Sequence, residues 1–162
     1  MPPSTNALSP RTAAELLERI LAASSGVVAL DAAGPAVIEQ FTQIARHSGQ
    51  AIYLWQPDAG LATLRELDTC VPGSQRLGGA LRCIQQSNHF GVYLFRLPEL
   101  RLEARDAGLL RQLAHESTAQ IRRTVLLDAP APLPVDLDGW VERVAQAQAA
   151  PRPRLRDGRW IG

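Results

Sequence analysis

Short apolar runs alternate with amphipathic helical segments along most of this chain, and no other feature constrains the fold as strongly. Four runs of strand type cover residues 26–31, 51–55, 90–95 and 124–127. Helical patterns lie between them, so the order is βαβαβαβ. This order predicts an α/β fold of three layers, in which helices cover both faces of a mainly parallel sheet and the crossovers are right-handed.

The predicted helices are marked by apolar stripes and by residues typical of helix ends. Ser9-Pro10 and a capping box at 12–15 start the first helix. Pro35 favours the start of the second helix, and Gly49 is well placed to end it. Ser74 is predicted to cap a third helix, and a fourth is predicted over residues 106–121.

Two segments carry weaker patterns. Leu61, Leu64 and Leu67 follow the second predicted strand at a spacing that suggests a short helical turn. Beyond a proline-rich loop, residues 140–144 alternate as expected of a fifth, edge strand. The alternative for this last segment is a helix that continues into the alanine-rich run up to residue 150, and the alternation favours the strand.

Length and hydropathy predict a single cytoplasmic domain. A chain of 162 residues with 46% hydrophobic content suffices for one buried core. We expect a disordered leader over residues 1–8, one domain over 9–150, and an Arg/Pro-rich tail over 151–162. The N-terminus does not resemble a signal peptide, and no apolar run reaches the ~20 residues of a membrane helix.

The charged residues exclude several chemistries. The chain has 17 basic and 16 acidic residues, so its net charge of +1 creates no global attraction for nucleic acid or anionic membrane. All of the basic residues are arginine. The absence of lysine excludes a Schiff base, a P-loop ammonium group and a lysine general base. This lysine-free, alanine- and proline-rich usage resembles that of a GC-rich bacterial genome.

Cysteine and histidine do not form a recognisable reactive centre. Cys70 and Cys83 lie too far apart for a C-x-x-C motif, and we interpret them as packing residues. His47, His89 and His115 lack the close spacing that metal ligands usually show. We therefore expect no metal, no cofactor and no catalytic activity.

The carboxyl ends of the predicted strands offer the best candidate for a ligand site, because ligands bind there in open parallel sheets. Asp31, Trp55, Arg96 and Asp128 lie at these ends and define the carboxyl-end crevice. The loop after the first strand lacks the glycines and lysine of a phosphate site, and Pro35 removes one N–H donor. We predict that Asp31 caps the following helix and that phosphate does not bind.

Several segments resemble the inactive N-terminal domain of a plastid and bacterial family of AAA-type ATPases. They are the run 45–55, the Gly-Leu pair 60–61, and the segments 92–95 and 123–134, within a match over residues 11 to about 145. The resemblance implies a degenerate P-loop-like fold without a working Walker A motif. It also implies the order 5-1-4-3-2 for the five predicted strands.

The chain departs from that family in two respects, and these shape the predicted function. We expect no active ATPase domain beside this one, and Arg96 replaces the acidic residue after the third predicted strand. We therefore expect a stand-alone, non-catalytic module for protein interaction or regulation. The first alternative is a domain that senses a small ligand or nucleotide in the carboxyl-end crevice.

Two surfaces are candidates for contact with a partner. In the implied order the strand 51–55 is an edge that exposes Tyr53 and carries no charge or proline to block pairing. We expect a protein partner or a second copy of the chain to cover it. The alternative is that the leader, or the loop around residues 61–67, covers this edge within the same chain.

The tail is the second surface, and it gives the other alternative function. Its arginines and tryptophan suit a nucleic-acid accessory role, and they are Arg152, Arg154, Arg156, Arg159 and Trp160. An Asp-Gly pair also predicts a hairpin, which we expect to pack on its own domain. Only four positive charges cluster here, so binding of nucleic acid is not expected.

Overall fold

Four helices and six strands make up the part of the chain that the computed structural model describes, which is residues 9–31, 34–87, 90–97, 102–115, 122–129 and 133–145. The elements are α1 (Pro10–Leu21), β1 (Val27–Asp31), α2 (Gly34–Ser48), β2 (Ile52–Gln56), β3 (Gly60–Thr63), α3 (Leu77–Gln86), β4 (Gly91–Arg96), α4 (Ala104–His115), β5 (Arg122–Leu127) and β6 (Glu142–Ala145). The predicted leader and tail lie outside the described residues, as do residues 116–121 of the fourth predicted helix.

The strands form one mixed sheet with the order β3-β2-β4-β5-β1-β6. This order differs from the predicted 5-1-4-3-2 because the sheet has a sixth strand. β3 pairs antiparallel with β2, and the other four pairings in the sheet are parallel. The α/β class and the predominance of parallel pairing are confirmed. The fifth predicted strand is also present as β6, which pairs with β1.

The helical turn predicted after β2 is wrong, and the burial of its leucines explains why. Leu61 packs on the face of the sheet that α3 and α4 cover, whereas Leu64 packs on the face that α1 and α2 cover. Residues three apart in an extended chain point to opposite faces. A spacing of three therefore fits a strand buried on both sides as well as a helical stripe.

Each face of the sheet has its own apolar core. Val28, Leu30 and Leu94 pack with α1 and α2, whereas Val27 and Phe95 pack with α3 and α4. Such burial on both faces is what a parallel sheet between two helical layers requires. The predicted stripes of the helices face these cores.

The first helix begins at Ser9-Pro10 as predicted, but its cap is Ser9 and not the capping box at 12–15. The Ser9 side chain caps α1, because its Oγ accepts a hydrogen bond from the Thr12 N–H at 3.1 Å. The end of α2 agrees with the prediction, since Gly49 has a φ of +76° and its N–H donates to the Ala45 carbonyl. Glycine adopts this left-handed conformation at little cost.

Two consecutive arginines at the start of β5 connect the sheet to both helical layers. Alternation along a strand directs Arg122 and Arg123 to opposite faces. Arg122 Nη1 donates to the carbonyls of Ile84, Gln85 and Ser87 at 2.6, 2.9 and 3.1 Å, which closes the end of α3. Arg123 closes the end of α1 by donating to the carbonyls of Ile20, Leu21 and Ala23.

Ser74 is fully buried and closes the outer edge of β3 instead of capping α3. Its Oγ accepts from the Leu61 N–H at 2.8 Å and donates to the Val71 carbonyl at 2.6 Å. The Val71 N–H in turn donates to the Leu61 carbonyl at 2.7 Å. Thus both backbone groups that Leu61 directs away from β2 are satisfied within the chain. α3 starts later, with Arg76 as an N-cap residue whose side chain makes no capping bond.

The predicted role of Tyr53 at an open edge is therefore wrong. β2 lies between β3 and β4, so its backbone is paired on both sides. Tyr53 is half-buried and stacks on Tyr93, with ring centroids 4.8 Å apart. The alternative expectation, that the segment after β2 covers this edge within the same chain, is the one that the structure bears out.

We expect Ser74→Ala to lower the free energy of unfolding by about 1–3 kcal/mol, because it leaves the buried Leu61 N–H without an acceptor. Thermal and urea denaturation monitored by circular dichroism measure this change. Ser48→Ala is the matched control, since the exposed Ser48 hydroxyl donates to the Ile44 carbonyl of its own helix and accepts only a long bond, at 3.4 Å, from the Gln50 N–H. Equal stabilities of the two variants would contradict the role of Ser74.

Candidate functional site

Arg96 and Asp128 form an ion pair at the carboxyl ends of adjacent strands, β4 and β5. Arg96 Nε lies 3.0 Å from Asp128 Oδ2. Asp128 Oδ1 accepts a hydrogen bond from the N–H of Gly34, the first residue of α2, at 3.1 Å. The negative carboxylate therefore lies at the positive end of the helix dipole.

Two backbone features allow the Asp128 carboxylate to lie close to the start of α2. Asp128 has a φ of +60°, a left-handed conformation that aspartate tolerates better than most residues. A Cβ on Gly34 would overlap the Asp128 carboxylate, so a larger residue at the start of α2 would require the Arg96–Asp128 pair to shift. Asp128 thus places a carboxylate at the start of α2, and helix N-termini are positions that favour anions.

Asp31 pairs with Arg143 of β6 and does not cap α2 as predicted. Asp31 lies opposite Ala145 in the ladder, and Ala29 lies opposite Arg143. Arg143 is therefore a diagonal neighbour on the same face of the sheet, within reach of the carboxylate. The sequence prediction failed because the acid at the start of α2 comes from Asp128, 94 residues away along the chain.

Trp55 is separated from the charged members of the carboxyl-end crevice. It is buried among the residues that pack on α3 and α4, where it stacks on Phe95 with ring centroids 5.6 Å apart. Its Nε1 donates to the Ser74 carbonyl at 2.8 Å. The structure thus brings Arg96 and Asp128 together, places Asp31 in a separate pair, and makes Trp55 part of the core.

A second feature at this edge of the sheet is a cleft of about 380 Å³ between the β2–β3 turn and the first turns of α3 and α4. Trp55 lies in its wall, and the charged residues that line it are Asp58, Arg76, Arg82, Glu103, Arg105 and Asp106. Among the described residues, none of these six side chains forms an ion pair or hydrogen bond with another side chain.

The helix starts and the turn give the cleft its shape. Asp58 has a φ of +68° in the turn. A Cβ on Gly78 would come within 2.8 Å of Asp106 Oδ1, so the glycine lets α3 approach α4 closely. The pKa of Asp106 is raised by burial and by Glu103, whereas Arg82 acts in the opposite direction. The sequence analysis did not predict this cleft, because three segments that are distant along the chain form it. The adjacent glycines Gly78 and Gly79 were its only sequence signal.

Metal-binding and membrane-spanning features are absent from the described part of the chain. No group of three or more His, Cys, Asp and Glu side chains is placed to hold a metal ion there. No described helix combines the length and the apolar character needed to cross a bilayer. Cys70 and Cys83 are both half-buried and form no disulfide. Cys83 packs against the core beneath α3, as predicted.

Comparisons with protein-family models, curated proteins and solved structures found no match to this chain. The resemblance to the inactive domain of AAA-type ATPases therefore stays a prediction. The tail residues that were candidates for interaction lie outside the described residues. The class that the coordinates define is a three-layer α/β domain with a mixed six-stranded sheet.

Proposed function

We propose that this chain acts in the cytoplasm as a non-catalytic module for protein interaction or regulation, built on a degenerate P-loop-like fold. The parallel strands follow as β6, β1, β5, β4 and β2, and α2 begins at the carboxyl end of β1. This arrangement supports the P-loop-like part of the proposal, because in such folds the phosphate lies at the start of the helix after the first strand.

The position of Asp128 is the observation that carries the non-catalytic part of the proposal. Its carboxylate accepts the Gly34 N–H, and Arg96 neutralises its other oxygen. A phosphate in the same place would meet a fixed negative charge and would have to displace an intramolecular ion pair. The absence of lysine also leaves no ammonium group for a β- or γ-phosphate.

A domain that binds a small ligand is the second candidate, and the cleft beside Trp55 favours it. The volume of about 380 Å³ lies within the range of small-molecule sites. Its position at the carboxyl ends of parallel strands is the usual one for ligands in open α/β sheets. Its arginines and carboxylates would suit a ligand that carries charges of both signs.

Titration with Mg²⁺–ATP tests whether the chain has lost nucleotide binding and hydrolysis. We expect isothermal calorimetry to detect no binding and a phosphate-release assay to detect no hydrolysis by the wild-type chain. Micromolar affinity for ATP would contradict the proposal and favour a nucleotide sensor.

An Asp128→Ala variant tests whether this carboxylate fills the phosphate position. The variant leaves Arg96 and the Gly34 N–H without their anion, so about 10 mM inorganic phosphate should raise its melting temperature. Phosphate should leave the wild type unchanged. Asp31→Ala is the matched control, because it removes a carboxylate at the same edge that does not contact α2. An equal response of both variants would contradict the assignment.

The interaction part of the proposal needs a defined partner. Affinity purification of the chain at its native expression level identifies candidates, and each is then tested by mixing the purified components. We expect a complex of fixed stoichiometry that forms equally well with and without nucleotide. If no candidate forms such a complex from purified components, the interaction role is contradicted.

A further inference from the structure

A groove between α4 and the loop before β6 leaves an aromatic side chain half-exposed. Trp140 keeps 44% of its surface accessible, and its ring contacts His115 edge-on with centroids 6.3 Å apart. The groove has a volume of about 370 Å³, and its lining residues are Gly108, Arg111, Gln112, His115 and Trp140. It lies at the amino end of the sheet, away from the Arg96–Asp128 pair.

The exposure of Trp140 is imposed by a well-anchored backbone. Leu137 is fully buried, and its carbonyl accepts from the Trp140 N–H at 2.9 Å. The Trp140 carbonyl accepts from Ser25 Oγ at 2.7 Å. The loop is thus fixed beside the indole, and Gly108 leaves the facing surface of α4 without a side chain. Large aromatic side chains held open beside a pocket are typical of contact sites.

The loop beside the groove carries two exposed carboxylates, whereas the groove itself is lined by Arg111 and His115. Asp136 and Asp138 are exposed in the loop that carries Trp140, and neither carboxylate has an ion-pair partner within the described ranges. Val135, in the same loop, keeps 86% of its surface accessible. The only described arginine that lines the groove, Arg111, directs Nη1 to the Asp136 carbonyl at 3.4 Å. The indole therefore offers apolar surface to a ligand, and the neighbouring loop offers two carboxylates to its positively charged side chains.

We propose that the C-terminal tail of the same chain, residues 151–162, docks in this groove. The tail has the required chemistry, since it contains four arginines, Trp160 and Ile161 but only one acidic residue. Arginine stacks well on tryptophan and pairs with carboxylates. The proposal goes beyond the proposed function and does not rest on it.

The connection is long enough for this contact. From Trp140 in the groove to Ala145 at the end of β6 the chain advances five residues, up to about 17 Å at ~3.3 Å per residue. Residues 146–150 can span up to ~17 Å when extended, so residue 151 can return to the level of Trp140.

Limited trypsin digestion of the full chain tests the proposal, because the tail bonds after Arg154, Arg156 and Arg159 are substrates. Mass spectrometry gives the rate at which each bond is cut. We expect Trp140→Ala to accelerate tail cleavage at least roughly tenfold, because cleavage follows the population of the undocked tail. Joint replacement of Asp136 and Asp138 by asparagine should accelerate it by roughly threefold.

Leu67→Ala is the control, since Leu67 is similarly exposed, at 39%, but lies beside the opposite edge of the sheet. Its tail should be cut at the wild-type rate, and circular dichroism should show all variants folded. An unchanged rate in Trp140→Ala, or a wild-type tail cut as fast as the free peptide 146–162, would overturn the proposal. Protection that increases with protein concentration would also overturn it, because the tail would then dock on a second copy.

Discussion

Replacing Arg123 with alanine is expected to lower the free energy of unfolding by about 2–4 kcal/mol, or roughly 10 °C in melting temperature. Arg123 Nε lies 3.0 Å from the Ile20 carbonyl, and Nη2 lies 3.0 and 2.7 Å from the carbonyls of Leu21 and Ala23. These carbonyls belong to the last turn of α1 and its exit, where the regular helix bonds end, and that of Ile20 also accepts from the Ala23 N–H at 3.2 Å. In the alanine variant water would replace the guanidinium group only in part, because these carbonyls lie close to the sheet.

The geometry of the guanidinium group also makes lysine a poor substitute. The planar group of donors binds three carbonyls at once. Burial lowers the pKa of Arg123, whereas Glu142 acts in the opposite direction. A lysine ammonium group is a point charge that cannot reproduce this planar group of donors. We therefore expect Arg123→Lys to recover only part of the loss.

Urea denaturation of the purified variants measures these changes. Arg46→Ala is the control, because Arg46 is exposed near the end of α2 and makes no ion pair or side-chain hydrogen bond in the described structure. Its stability should stay within about 0.5 kcal/mol of the wild type. Similar stabilities of Arg123→Ala and Arg46→Ala would show that the α1 cap contributes little.

The sequence predicted the α/β class because each strand and helix carries a local pattern. The run 124–127 was predicted as a strand from its apolar residues and is buried in the structure. The apolar stripe from Val37 to Ala45 on α2 also faces the core. Arg122 and Arg123 left no such signal. Their acceptors lie up to 103 residues away along the chain, so only the register of β5 against the helices creates the contacts.

The candidate site was predicted in part for a similar reason. Strand ends meet at one edge of a parallel sheet, which is why Arg96 and Asp128 could be placed together. The partner of Asp31 depends on the register of β6 against β1, which no local pattern specifies. Trp55 lies at the same edge but lines the cleft beside α3 and α4, because alternation does not reveal which face of the sheet a residue occupies until the helices are positioned.

Gly26→Ala is expected to destabilise the domain by about 2–4 kcal/mol through a clash that no side chain can relieve. Gly26 precedes β1, and its N–H donates to the Ala114 carbonyl at 3.2 Å while its carbonyl accepts from the Thr124 N–H at 2.8 Å. A Cβ at this position would overlap the backbone carbonyl of Leu113. Because the Leu113 carbonyl belongs to the backbone and cannot rotate away, α4 would have to move away from the sheet.

Gly108→Ala is the matched control, since it makes the same chemical change on α4. A Cβ there would meet only Arg111 Nη2, at 3.8 Å. Alanine is favoured over glycine inside a helix, so this variant should gain about 0.5–1 kcal/mol. Urea denaturation should therefore give shifts of opposite sign for the two variants. A Gly26→Ala variant as stable as the wild type would mean that α4 is not held against β1 by direct backbone contact.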